Sequence, residues 1–174
     1  DGRLRRGAHG GAGEVGHTLV DPEGPRCGCG RYGCLEAFVG RAAIARRARR
    51  LLSLSGRGAM AGVPLERVKA EHVIQAAREG DELAVQVMRE TGRYLGVGVA
   101  NVANVLDPSL VVVGGSTAVA GELLLEPVRE VLRGRALPGI AENVRVVSGR
   151  LGEDAGAVGA AALVLQELFA VRMG

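Results

Sequence analysis

The sequence predicts an α/β domain in which short strands and longer helices are joined by glycine-rich turns. The continuous apolar run Leu110–Val113 is typical of a strand buried on both faces. Several longer segments carry apolar residues at helical spacing. The 174 residues include 28 glycines, while aromatic residues make up only 2%. We therefore expect one domain with an aliphatic core and many tight turns.

The N-terminal third is predicted to contain a hairpin turn, a strand and a long helix. Asp1-Gly2 indicates the hairpin turn. Residues 15–20 predict a strand that ends at Asp21-Pro22. Apolar residues spaced in threes and fours predict a helix over residues 35–52. The residues at 53–62, which include glycine and serine, predict a loop.

Two further helices are predicted before the apolar strand. The first covers residues 70–79 and ends at Gly80, and Asp81 is expected to cap the second. This second helix extends to about residue 105, where Asp107-Pro108 ends it.

Three glycines interrupt the longest predicted helix, at positions 92, 96 and 98. Each weakens a helix by about 1 kcal/mol relative to alanine. We therefore expect another part of the backbone to pack closely against this helix.

The C-terminal third repeats the order strand, turn, helix. The apolar strand ends at Gly114-Gly115, and a helix is predicted up to about residue 133. A second strand over residues 143–147 and a helix over 155–170 follow. Ligands of α/β folds bind at such turns, where glycine allows close approach. A tight turn without a ligand explains Gly114 and Gly115 equally well.

The net charge of +3 comes largely from arginines on one predicted helix. These are Arg41, Arg46, Arg47, Arg49 and Arg50. Such a cluster can bind phosphates. A solvated helix face is favoured here, since no aromatic residues are interleaved with it.

The stretch from position 13 to 36 carries the clearest chemistry. It contains all three cysteines, Cys27, Cys29 and Cys34, and His17 precedes them by ten positions. Three thiolates and one imidazole form a closed tetrahedral zinc site, so we predict structural Zn²⁺. A disulfide would leave one cysteine unpaired. Buried free thiols would be expected to lie scattered along core faces.

No apolar run reaches the length that crosses a membrane. Reduced, metal-binding cysteines are typical of the cytoplasm, which is the predicted location. The sequence begins without an initiator methionine, so we expect it to be part of a longer polypeptide.

The motifs together resemble the ROK family of bacterial sugar kinases and sugar-responsive transcriptional repressors. The resemblance depends on Gly-Glu-Val-Gly-His at 13–17 and on Cys-Gly-Cys-Gly-Arg-Tyr-Gly-Cys-Leu-Glu at 27–36. Asn-Val-Leu-Asp-Pro at 104–108 and Asp-Ala-Gly-Ala-Val-Gly at 154–159 support it.

The resemblance implies an actin-like, ribonuclease-H-like fold of two lobes with the ligand between them. Residues 1–174 would form the C-terminal lobe as a single domain. The N-terminal lobe and any helix-turn-helix would lie outside this chain.

The resemblance also implies roles for individual residues. His17, Cys27, Cys29 and Cys34 match the zinc ligands, and Glu14, His17 and Glu36 match residues that hold sugar hydroxyls. The sugar would be glucose-like or an amino sugar. A carboxylate is also favoured at a helix N-terminus, which is the structural alternative for Glu36.

Two branches of the family fit these residues. A regulator would use the chain as its effector-sensing and oligomerisation domain, as a homodimer or homotetramer, and would bind DNA through a domain outside it. The amino acids at positions 17–27, and Glu-Ala-Phe-Val-Gly at 36–40, resemble those of the regulators more than those of the kinases.

The alternative is the C-terminal lobe of an ATP-dependent glucokinase-like enzyme, with Mg²⁺ and with Gly114-Gly115 against the nucleotide. Catalytic groups of the kinases lie on the other lobe. No catalytic residue is predicted here, and the chain alone is not expected to be an active kinase.

Overall fold

The computed structural model describes residues 4–60 and 62–170 of the chain. Asp1-Gly2, where a hairpin turn is predicted, lies outside the described residues. The architecture is α/β, as the sequence predicts. Helices precede a short parallel β-α-β unit. None of the described helices has the length and apolar character needed to cross a membrane.

The first helices follow a loop that contains the three cysteines. A 3-10 helix covers Val15–His17, so the strand predicted over residues 15–20 is wrong. Leu19 instead forms one isolated antiparallel bridge with Cys34. The helix predicted over residues 35–52 is two helices, α1 (Glu36–Val39) and α2 (Arg41–Ser55).

Gly40 separates these two helices. Its backbone is extended, with φ −65° and ψ 157°, and it is the N-cap residue of α2. A Cβ at this position would lie 2.8 Å from the carbonyl oxygen of Glu36. Glycine is therefore required at this turn, because a side chain would meet the preceding helical turn.

Helices α3 (Ala70–Arg78) and α4 (Glu82–Leu106) confirm the two predicted helices. The Asp81 carboxylate accepts a hydrogen bond from the Ala84 amide at 2.8 Å, as expected of an N-cap residue. Asp107 ends α4 in the left-handed conformation, with φ 44°. A 3-10 helix at Leu65–Arg67 precedes α3.

The second half of the chain forms the β-α-β unit. Strand β1 (Leu110–Val113) pairs in parallel with β2 (Arg145–Ser148), and Leu110 is opposite Arg145. Between them lie a 3-10 helix at Ser116–Ala120, α5 (Glu122–Arg135) and α6 (Pro138–Ala141). Gly121 separates the 3-10 helix from α5, where a single helix is predicted. A 3-10 helix at Gly152–Asp154 leads into α7 (Ala155–Ala170).

Strand β1 is covered on one face only, so its predicted burial on both faces is wrong. Val111 and Val113 pack against the core that α4 and α5 form with β2. Leu110 and Val112 point to the opposite face, and 56% of Val112 is exposed. Among the described residues, no element covers this second face of the strand.

The close backbone contact predicted for the longest helix is confirmed on its α5 side. A Cβ at Gly92 would overlap the carbonyl oxygen of Leu124, and one at Gly96 would lie 2.7 Å from the Cβ of Val131. Gly98 instead faces the side chain of Leu35. These glycines allow α4 to support both α5 and the start of α1.

Several arginines of α2 bind protein groups, which corrects the prediction of a mainly solvated face. Arg47 donates to the Thr91 hydroxyl at 3.0 Å and pairs with Glu90, and its side chain is only 14% exposed. Arg49 donates two hydrogen bonds to the carbonyl oxygen of Val68. These arginines hold α2 against its neighbours.

Candidate metal centre

The loop from Asp21 to Gly33 brings the cysteines together through backbone hydrogen bonds. The Cys27 amide donates to the Arg31 carbonyl at 2.7 Å, and the Gly30 amide donates to the Cys27 carbonyl at 3.0 Å. Gly33 closes the loop with φ 70°, and its amide donates to Pro25. A tight turn therefore places Cys27 and Cys29 on the same side as Cys34.

The four predicted metal ligands meet in one cluster. One donor atom from each of His17, Cys27, Cys29 and Cys34 lies within 4.8 Å of the other three. The Cys29 and Cys34 sulfurs are 3.7 Å apart, as are the Cys27 sulfur and Nδ1 of His17. In a zinc tetrahedron, bond lengths of about 2.3 Å to sulfur and about 2.0 Å to nitrogen give edges of about 3.5–3.8 Å. The donor set therefore fits a four-coordinate ion, which can be held by these residues.

The thiols differ in how readily they lose a proton. Burial, and then the hydrogen bonds with Cys29 and Cys27, raise the pKa of Cys34 to about 11. A hydrogen bond from the Arg31 backbone is the main cause that lowers the pKa of Cys29. The sulfurs are too close to carry three negative charges without a cation between them.

Glu36 lies beside the cluster as the first residue of α1. Its Oε2 is 3.9 Å from Nε2 of His17, on the side of the ring opposite the atom that faces Cys27. A Cβ on Gly16 would lie 3.8 Å from the same carboxylate oxygen, an ordinary van der Waals distance, so Gly16 is adjacent to the Glu36 side chain. The imidazole thus joins the cysteine cluster to an exposed carboxylate.

The third predicted sugar contact, Glu14, precedes the 3-10 helix that carries His17. Its side chain is exposed, and its carbonyl oxygen accepts a hydrogen bond from the His17 amide at 3.0 Å. Glu14 therefore shares a turn with the histidine. Its role as a sugar ligand stays a prediction, as do those of His17 and Glu36.

The predicted nucleotide contacts lie at the carboxyl end of β1. Gly115 has φ 83°, and no described atom comes within 4 Å of a Cβ built on Gly114 or Gly115. This end of the strand is therefore open. A contact that the sequence analysis missed lies next to it, because Arg41 donates to the Ser116 hydroxyl at 3.1 Å. These two residues are 75 positions apart, so no local pattern could reveal the pair.

Comparison with known proteins finds that this chain is similar to transcriptional regulators and to glucokinases. The model of the ROK family matches residues 1–167. The DNA-binding transcriptional dual regulator NagC of Escherichia coli K12 is 37% identical over 169 residues, which cover 97% of this chain and 41% of NagC. The glucokinase of Halalkalibacterium halodurans is 35% identical, with 100% of this chain and 54% of that protein covered.

A solved structure is similar over most of the chain. The ROK family glucokinase from Streptomyces griseus, in complex with glucose and AMPPNP, superposes with a TM-score of 0.82 and 37% identity. The match covers 92% of this chain and 54% of that one. The chain thus spans about half the length of these relatives, and its identity to the regulator is close to its identity to the kinase. By its motifs, its fold and these matches, the chain is a member of the ROK family.

Proposed function

We propose that this chain is the C-terminal, sugar-binding lobe of a sugar-responsive transcriptional regulator. The observation that carries the proposal is the position of His17. One ring nitrogen faces Cys27, and the other faces the carboxylate of Glu36. The histidine can therefore bind a metal and a sugar hydroxyl at the same time.

In this proposal the metal is Zn²⁺, held by His17, Cys27, Cys29 and Cys34. Four protein ligands close the coordination shell, so the ion would have a structural role and would fix the orientation of the imidazole ring. Nε2 of His17 then carries the ring proton and donates a hydrogen bond to a sugar hydroxyl.

The sugar would bind at the edge formed by Glu14, His17 and Glu36. Carboxylates accept hydrogen bonds from adjacent hydroxyl groups, and the imidazole donates one. The small residues at positions 13 and 16 leave the backbone accessible to a pyranose ring. This chemistry suits glucose or an amino sugar.

The amino acids at positions 17–27 and 36–40 resemble those of the regulators more than those of the kinases, which supports the regulator. A sugar regulates DNA binding only if it binds the two conformations of the protein with different affinity. In this proposal the DNA-binding domain lies outside residues 1–174, and the protein is a homodimer or homotetramer. Size-exclusion chromatography with light scattering of the full-length protein tests that assembly.

A glucokinase-like enzyme is the second candidate. The open space at Gly114 and Gly115 favours it, because a nucleotide approaches a backbone that has no side chains. The similar Streptomyces griseus glucokinase is described with glucose and AMPPNP. ATP and Mg²⁺ would then be required, together with catalytic groups from another lobe.

The sugar edge is tested by changing Glu36→Gln in the full-length protein. Loss of a charged hydrogen-bond acceptor is expected to weaken binding of glucose or N-acetylglucosamine about 10- to 100-fold, while zinc content stays at one per chain. Titration calorimetry and elemental analysis measure the two quantities. Glu23→Gln, an exposed glutamate of the nearby cysteine loop, is the matched control. Loss of zinc together with sugar binding would instead show that Glu36 is structural.

The two functions are separated by assays on the full-length protein. Sugar-dependent release from DNA is expected for the regulator. ATP- and glucose-dependent formation of ADP would contradict the regulator proposal and support the kinase. A helix-turn-helix upstream in the gene, as opposed to an Asp-x-Gly-x-Thr loop, would agree with the first result.

A further inference from the structure

A groove runs along the surface between α2 and α4. Two cavities of about 470 and 510 Å³ lie along it, and both are lined by Leu51 and Leu54. The lining residues of α2 extend from Ala43 to Ser55, a distance of about 18 Å at 1.5 Å per residue. The α2–α4 groove is therefore long enough for about three turns of another helix.

The floor of the α2–α4 groove is apolar. Phe38 and Tyr94 stack with ring centroids 4.0 Å apart and line one end. Leu51 lies at the centre, and Leu54 is 76% exposed, although it belongs to a well-packed helix. Leucines and aromatic rings along such a surface are the contacts that an amphipathic helix uses.

The wall of the α2–α4 groove is positively charged. Arg47 is neutralised by Glu90, with Nε and Oε1 2.9 Å apart. Arg46 donates to the neutral carbonyl oxygen of Ala37, which leaves its charge uncompensated. No contact between the Arg50 side chain and a carboxylate occurs in residues 4–60 and 62–170. Arg46 and Arg50 are one helical turn apart, so both face the same wall.

At its other end, the groove carries a net negative charge, because Asp81 and Glu82 line that cavity together with Arg57. Asp81 accepts hydrogen bonds from the amides of Ala84 and Ala59, which are neutral donors, so its negative charge remains. Arg57 and Glu82 line the same cavity with opposite charges. The uncompensated positive charge therefore lies at the aromatic end, at Arg46 and Arg50, and it favours an occupant that places carboxylates at that end.

We propose that the α2–α4 groove binds an acidic amphipathic helix of a partner protein. Its apolar stripe lies on Leu51 and Leu54, and its carboxylates pair with Arg46 and Arg50. This surface is separate from the proposed sugar edge and does not depend on whether the protein is a regulator or a kinase.

The groove adjoins the cysteine loop. Pro25 of that loop lines its aromatic end. The Phe38 ring packs over Gly24, where an added Cβ would lie 2.5 Å from the ring. Phe38 is two residues after Glu36 on α1. A helix seated in the groove thus contacts the same short segment that carries the proposed sugar ligand.

The probe for this surface is a fluorescein-labelled 15-residue helical peptide. It carries leucines at positions i, i+4 and i+7 and glutamates along their flank, and its analogue replaces each glutamate by lysine. Anisotropy titrations use the full-length protein at low and high salt. The acidic peptide is expected to bind, with an affinity that falls as salt increases, and the lysine analogue is expected not to bind.

Two variants locate the binding surface. Arg50→Glu and Leu54→Gln are each expected to weaken binding of the acidic peptide about tenfold or more. Both side chains are exposed and have no structural partner among the described residues, so folding should be preserved, as circular dichroism would show. Arg78→Glu on α3 and Leu137→Gln after α5 make the same chemical changes at exposed positions outside the groove and should leave the affinity unchanged.

Several outcomes would overturn the proposal. The acidic peptide could fail to bind, bind both variants as tightly as the wild type, or bind no better than the lysine analogue. Concentration-dependent dimerisation that Arg50→Glu abolishes would assign the groove to a second copy of this chain. Competition by a nucleic acid oligomer, lost in the same variant, would assign it to phosphates.

Discussion

Gly33 occupies a position in the cysteine loop that other residue types would enter only with strain. Its φ of 70° is left-handed, and a Cβ there would overlap the carbonyl oxygen of Asp21. Its amide and carbonyl also hold the loop closed, because they bond to Pro25 and Val20. The geometry of the metal ligands therefore depends on a residue that is not a ligand.

Gly33→Ala is expected to destabilise the protein by more than about 2 kcal/mol and to reduce zinc content, since strain and overlap add together. Gly30→Ala is the matched control. It also has a left-handed backbone, with φ 91°, but it faces open space. It should cost only about 1 kcal/mol. Chemical denaturation and elemental analysis measure both, and equal effects of the two substitutions would contradict this account.

Metal affinity should increase with pH. In the metal-free protein the pKa of Cys34 is about 11, so at neutral pH the thiol is protonated and a metal must displace that proton. Each displaced proton makes the apparent affinity rise by up to about tenfold per pH unit below the pKa. Competition with a chelating dye at several pH values between about 6.5 and 8.5 measures the slope. A metal affinity that is independent of pH would contradict this prediction.

The predicted ligands of the metal site could be read from the sequence because they are local. All lie within 18 positions, and their residue types have few other uses in combination. The proximity of Glu36 to His17 could also be predicted, because the family resemblance matches both residues to one sugar site. The Arg41–Ser116 contact could not be predicted, because it depends on how α2 packs against the turn after β1.

Among the elements, helices with a clear apolar stripe and with capping or helix-stopping residues at their ends were predicted well. The cap at Asp81 and the stop at Asp107-Pro108 predicted both ends of α4 to within one or two residues. The strand predicted at residues 15–20 was wrong because the backbone there bonds locally, with the His17 amide donating to Glu14 and the Thr18 amide donating to Val15. The 3-10 helix and one isolated bridge satisfy the backbone there instead. The break at Gly40 was missed because the apolar spacing continues across it.

The contact between α4 and α5 gives a prediction at the level of the element. Gly92→Ala should destabilise the protein, because the added methyl group overlaps the Leu124 carbonyl, and backbone cannot move aside cheaply. The loss should exceed the gain of about 1 kcal/mol that alanine brings to a helix. Thermal unfolding, monitored by circular dichroism, measures the net change.

Gly134→Ala in α5 is the control for this prediction. Gly134 lies within α5, and apart from its chain neighbours and the nearby backbone of α5 no described atom lies within 4 Å of its added Cβ. The substitution should therefore stabilise the protein by about 0.5–1 kcal/mol. Stabilisation by both substitutions would show that α4 and α5 separate easily, contrary to the packing described.

For the molecule as a whole, the uncovered face of β1 is the main departure from expectation. A continuous apolar run predicts burial on both faces. Leu110 and Val112 are exposed, as are Leu165, Leu168 and Phe169 of α7. The chain spans 54% of the Streptomyces griseus glucokinase that it resembles. We propose that further residues of a full-length protein cover these surfaces.

Val112→Thr tests this proposal by its different effect in two settings. In the 174-residue chain, Val112 is 56% exposed, so the substitution should change the free energy of unfolding by less than about 0.5 kcal/mol. In the full-length protein, the hydroxyl would be buried against apolar neighbours and should cost about 1–3 kcal/mol. Val111→Thr is the control, because Val111 faces the α4–α5 core and should be costly in both settings. If Val112→Thr had the same small effect in the full-length protein, the exposed face of β1 would be part of the native surface, and the proposal that further residues cover it would be wrong.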